Sequence, residues 1–123
     1  MVPPALRTWF VVHFVADLIF AIPLLLAPEL FLGLLGWPAV DPISARLVGA
    51  ALMGIGVQSL LGRKEDLQVF RAMLNLKIIW SGTASIGILV SMLQGGPTLG
   101  WGFLAIFVAF NGLWVHYRRV LGP

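Results

Sequence analysis

Four long apolar runs, parted only by short polar or Pro/Gly-rich breaks, take up nearly all of this 123-residue chain. About 20 apolar residues wound as an α-helix, at roughly 1.5 Å per residue, match the ~30 Å hydrocarbon core of a bilayer. Composition agrees, with 59% of residues hydrophobic and 11% charged, against about a quarter charged in an ordinary soluble domain. The expected fold is all-α: an integral membrane four-helix bundle with four transmembrane helices, forming a single transmembrane helical domain over residues 1–123. The patterning predicts helices over residues 6–27, 42–61, 67–93 and 98–117, with a short interfacial helix over 28–36.

Local signals set those limits. Asp41 is a candidate N-cap, Pro42 suits the first helical position and Gly62 is the expected stop of the second helix. The Gln94-Gly95-Gly96-Pro97 breaker separates the third and fourth helices. Pro23 removes one backbone donor and is expected to bend the first helix. The segment after it is too short to cross, and Pro28 and Glu29 suit a first helical turn. Its plain role is to cap the bundle, and its sharper one is a lid over an opening between helices. The first run exceeds a signal-peptide h-region, and Pro28 directly follows the one plausible exit at Ala27, so a retained helix is expected.

Arg7, Arg63, Lys64, Arg71, Arg118 and Arg119 fall on one side of a four-crossing chain, and only Arg46 lies near the other. The positive-inside rule then puts both termini in the cytoplasm, in the inner (cell) membrane. The net charge of +3 is explained by attraction to anionic headgroups of membrane lipids, with no nucleic acid required. Trp9, Trp114 and Tyr117 sit near the cytoplasmic boundary, Trp37 and Trp101 near the opposite one, and Trp80 is left deep in the membrane. Arg46 is expected to pair with Glu29 or Asp41, with contact to an outer-face anion or headgroup as the lesser reading.

Polar residues inside these runs are the candidate functional groups. His13 and Asp17 are four apart and share a helical face, which should point inward because hydrocarbon gives a carboxylate no water. Asn75, Lys77 and Asn111 fall at similar depth. Asn75 and Lys77 point roughly 200° apart on a helix, so only one can face the same centre. With Lys77 inward, an Asp17–Lys77 ion pair oriented by His13 and Asn111 is mainly structural. With Asn75 inward, Asp17 is protonated, His13 is its partner, and the pair could carry protons.

Small residues form stripes: Ala45, Gly49, Gly56 and Ser59 in the second helix, Ser81 to Gly87 in the third, and Gly102, Ala105, Ala109 and Gly112 in the fourth. Such stripes let helix backbones approach closely, within one chain or in a homo-oligomer. Catalysis finds little support. Cysteine is absent, which excludes disulfides, thiolate nucleophiles and cysteine-held zinc or iron–sulfur centres. Ser81, Ser85 and Ser91 lack a histidine and acid at matching depth, and no phosphate-binding or zinc-protease motif is present. His13 and Asp17 supply two metal donors, and His116 lies too shallow to complete them.

No family motif is matched, but in layout alone the chain resembles the small multidrug resistance transporters: four short helices with an acid midway along the first. That resemblance implies a dimer whose acid exchanges protons for cations. The acid here is Asp17 rather than glutamate, His13 and Lys77 are added, and the charge bias departs from that group's inverted pairing. The expected function is therefore a non-enzymatic binding or accessory bundle with no cofactor or metal. It would pack against itself or a membrane-protein partner. The alternative is a proton-coupled transporter of a small or amphipathic solute, using Asp17 and His13.

Overall fold

The computed structural model describes residues 1–123 and is entirely helical. Its elements are α1 (Pro4–Leu26), α2 (Pro28–Leu34), α3 (Pro42–Leu61) with a 3-10 turn over Gly62–Lys64, α4 (Leu67–Leu93) and α5 (Gly100–Val120). Three helical stretches, Pro4–Leu26, Pro42–Lys64 and Leu67–Leu93, are long and apolar enough to cross a membrane. Helix α5 has the length, but Asn111, His116, Arg118 and Arg119 dilute its apolar character. The chain divides into two compact units, one of residues 3–65 and one of residues 66–123 together with 1–2.

In the first unit α1 packs against α3. Pro4 opens α1 in place of a donor that would have no helical partner, so the helix starts two residues before the expected Leu6. Helical winding passes through Pro23 without ending, and Ala27 N–H donates to the Pro23 carbonyl at 2.9 Å. Helix α2 is shorter than expected because the chain reverses at Gly36, whose φ of 97° suits glycine. There Trp37 N–H donates to the Leu32 carbonyl and Gly36 N–H to that of Gly33, the paired bonds of a Schellman stop.

Asp41 caps α3, its carboxylate accepting from Ile43 N–H and from the Ser44 hydroxyl. The Ser44 hydroxyl, and after it the Ile43 N–H, hold the Asp41 carboxyl below its ordinary value. The contribution of this cap is present at neutral pH and fades as acid protonates the carboxylate. Helix α3 ends at Leu61 with Gly62 as its C-cap, as the sequence leads one to expect, but not through a left-handed glycine. The Gly62 φ of −81° is right-handed, and the last turn tightens into the 3-10 form instead.

The buried face of α1, Leu6, Phe10, His13, Asp17, Ala21 and Leu24, meets the small-residue face of α3. That face is Ala45, Gly49, Leu52, Gly56 and Ser59, at spacings of three and four. A Cβ on Gly49 would lie 3.1 Å from both Leu24 Cβ and Leu25 Cγ, and one on Gly56 only 2.8 Å from Asp17 Cβ. Backbone-to-backbone approach at Gly49 and Gly56 is therefore what brings the two helices together. Ser59 Oγ donates to the Phe10 carbonyl at 2.7 Å across the same seam.

In the second unit α4 and α5 form an antiparallel hairpin. Asp66, exposed just before α4, caps it by accepting from Val69 N–H at 3.1 Å. Gly95, with φ 90°, closes α4: Gly96 N–H donates to the Ser91 carbonyl and Gly95 N–H to that of Met92. A short loop over residues 96–99 follows, its last turn closed by Gly100 N–H donating to the Pro97 carbonyl, so α5 begins at Gly100 rather than Thr98 and runs to Val120 rather than Tyr117.

Candidate functional site

Each unit buries a polar cluster. In the first, helical spacing places His13 directly beside Asp17, with His13 Nε2 3.3 Å from Asp17 Oδ1. Both are buried, at 5% and 6% exposure. The wall opposite Asp17 is the bare backbone of Gly56, where an added Cβ would also come within 3.3 Å of Asp17 Oδ2. A carboxyl and an imidazole are thus held in contact on the inner face of an otherwise apolar helix. Such a pair can fix helix register through hydrogen bonding, or hold and pass a proton.

In the second unit Lys77 is 1% exposed and Asn75 is exposed, in keeping with the ~200° that separates them on α4. Lys77 Nζ lies 4.8 Å from the centroid of the Trp114 ring, which is buried and stacks on Phe110 with centroids 5.6 Å apart. An ammonium over an indole face is stabilised by the ring quadrupole, more so where water is excluded. Asn111 Nδ2 donates to the Ile78 carbonyl at 3.0 Å and to Ser81 Oγ at 3.0 Å, while Ser81 Oγ donates to the Lys77 carbonyl at 2.7 Å. Trp80 meets Phe107 edge to face at 6.0 Å. Asn75 Oδ1 accepts from Arg118 Nε at 2.9 Å, toward the basic end of the hairpin.

Arg46 does not pair with Glu29 or Asp41. Its Nε donates to the Leu25 carbonyl at 3.1 Å, a last-turn carbonyl of α1, while the Asp41 carboxylate is engaged by the start of its own helix. Other arginines do the same work. Arg7 donates to the carbonyls of Arg63 and Glu65, Arg71 to that of Leu121, and Arg118 to that of Gly122. The sequence pattern offered these side chains to lipid. Only Arg118 carries a sequence signal for capping, its place in the last turn of α5; Arg7, Arg46 and Arg71 stand near the starts of their own helices and reach the ends of neighbouring ones. His13 and Asp17 supply two metal donors, and no group of three such side chains is present.

The small-residue stripes differ in use. That of α3 is buried, whereas Gly102, Ala105, Ala109 and Gly112 of α5 are all exposed, and nothing lies within 4 Å of a Cβ built on Gly102 or Gly112. The chain matches no protein-family model, no curated protein and no solved structure.

Proposed function

We propose that the chain is a small integral protein of the inner membrane, crossing four times with both termini in the cytoplasm, and serving as a non-enzymatic binding or accessory helix bundle. The observation that supports this most is inverted polarity. His13, Asp17, Ser59, Lys77 and Ser81 are buried, while Ile19, Leu26, Ile79, Ile86, Leu93 and Val108 are exposed. In water that arrangement forfeits apolar burial, and in lipid it shelters the polar groups. Helix α5 is the fourth crossing in this reading, because it runs antiparallel along α4 and shares its hydrogen bonds. The basic residues support the orientation, since Arg7 and Arg63 meet at one end of the first unit and Arg71 and Arg118 gather at one end of the second.

A specific observation favours a second reading. The buried contact between His13 and Asp17 is the kind of pair a proton-coupled transporter of a small or amphipathic solute would use, with Asp17 as carrier and His13 as its tuner. The exposed α5 stripe supports self-association in either case.

Membrane extraction with terminal reporters tests the reading. The protein is expected to stay in membranes through high salt and alkaline carbonate, to leave only with detergent, and to carry both termini in the cytoplasm. Release by salt would overturn membrane insertion. Termini on opposite faces would overturn the fourth crossing.

A further inference from the structure

On the hairpin of α4 and α5, an open groove of about 430 Å³ is lined by Ile78, Val115, Arg118, Arg119, Gly122 and Pro123. Its polarity is graded along the helix axes. Arg118 is anchored level with Asn75 by the 2.9 Å bond, and Ile78 and Val115 each stand one turn further from the basic end, three residues on from Asn75 and three back from Arg118. Arg118 is also held by the Gly122 carbonyl, which fixes its guanidinium at the rim. The Arg119 side chain is exposed and makes no hydrogen bond or ion pair. The groove therefore presents an apolar floor on the membrane side and two guanidinium groups at the boundary.

We infer that this groove is a binding site for an anionic phospholipid, its phosphate at Arg118 and Arg119 and an acyl chain over Ile78 and Val115. The inference rests on the membrane reading above. Charge complementarity selects the headgroup, because guanidinium groups pair with phosphate oxygens in a matching fork geometry. The apolar floor selects a ligand that also has a chain, and the direction of the gradient matches a lipid standing in the cytoplasmic leaflet. Arg119, with no protein partner, supplies the discriminating charge, and Arg118 is positioned by Asn75.

Native mass spectrometry of the full chain in detergent, with phosphatidylglycerol or phosphatidylcholine of identical acyl chains added, tests it. Phosphatidylglycerol is expected to be retained at least about fivefold better, the effect of one basic residue near a lipid surface. Arg119→Gln should reduce that preference about fivefold, whereas Lys64→Gln, which removes an exposed charge in the other unit, should leave it within about twofold. Val115→Trp, which fills the floor, should weaken retention of both lipids. Glycerophosphoglycerol, the same singly charged phosphodiester without chains, should compete poorly. Equal retention of the two lipids by the unaltered protein would overturn the site, and that measurement needs no variant. An equal loss for Arg119→Gln and Lys64→Gln would assign binding to diffuse surface charge, and effective competition by glycerophosphoglycerol would remove the acyl chain's role; either overturns it. Failure of membrane insertion registers separately, in the carbonate extraction.

Discussion

Gly56→Ala is expected to lower the stability of the protein in mild detergent by about 1–3 kcal/mol, the usual effect of an extra methyl group in a seam with no room for it. The new Cβ would stand 2.8 Å from Asp17 Cβ and 3.3 Å from Leu18 Cδ1. Because Asp17 Cβ is fixed to the α1 backbone, relief requires the two helices to part. Parting would loosen the Ser59 bond to Phe10, one turn along the same seam. Gly54 serves as the control, since its position on α3 opens onto empty space. Gly54→Ala should be neutral or stabilising by up to about 1 kcal/mol through helix propensity alone. Thermal unfolding followed by circular dichroism decides between them. Equal effects at the two positions would show that the α1–α3 approach does not depend on the bare backbone at Gly56.

Asp17→Asn is expected to lower stability by about 1–3 kcal/mol, because it keeps the side-chain volume that Gly56 accommodates but alters the buried partner of His13. The same variant separates the two functional readings. In a transporter, proton-linked flux in liposomes should vanish while the protein remains folded, since asparagine cannot exchange a proton. Unchanged flux in the variant, or none in the unaltered protein, contradicts transport. Unaltered unfolding temperature contradicts a polar pair needed for the α1–α3 seam.

Much of this arrangement is legible in the residues themselves. Asp41-Pro42 marks the start of α3 and Gly95-Gly96 the end of α4 because capping and left-handed turns are local chemistry. The His13–Asp17 contact follows from spacing within one helix. The α3 stripe also declares itself, since so many small residues on one face have little use except close approach. The cap at Asp66 and the stop at Gly36-Trp37 had equally local signals, an aspartate just before an apolar run and a glycine just after one.

What the pattern does not contain is register between helices. That Asn111 reaches Ser81 and the Ile78 carbonyl, or that Lys77 lies over Trp114, depends on how α5 slides along α4. Helical periodicity does show that Lys77 and Asn75 point apart. Only packing decides that Lys77 is the buried one. The arginines show the same limit, because a charge count sees a basic surface where the folded chain uses several of those groups to cap carbonyls. The length and hydropathy that single out three helices are likewise properties of each segment alone, and the place of α5 is argued from its partner α4.

The exposed apolar faces of these helices are expected to meet lipid while the polar groups are turned inward. With no native cysteine, single cysteines at Ile19 and Ile86, which are 61% and 66% exposed, can each take one spin label in liposomes. At both positions, collisions with dissolved oxygen should exceed collisions with a water-soluble nickel chelate, since oxygen concentrates in hydrocarbon and the chelate is excluded from it. Nickel collisions dominating at Ile19 and Ile86 would place these faces in water and rule out a lipid-embedded bundle.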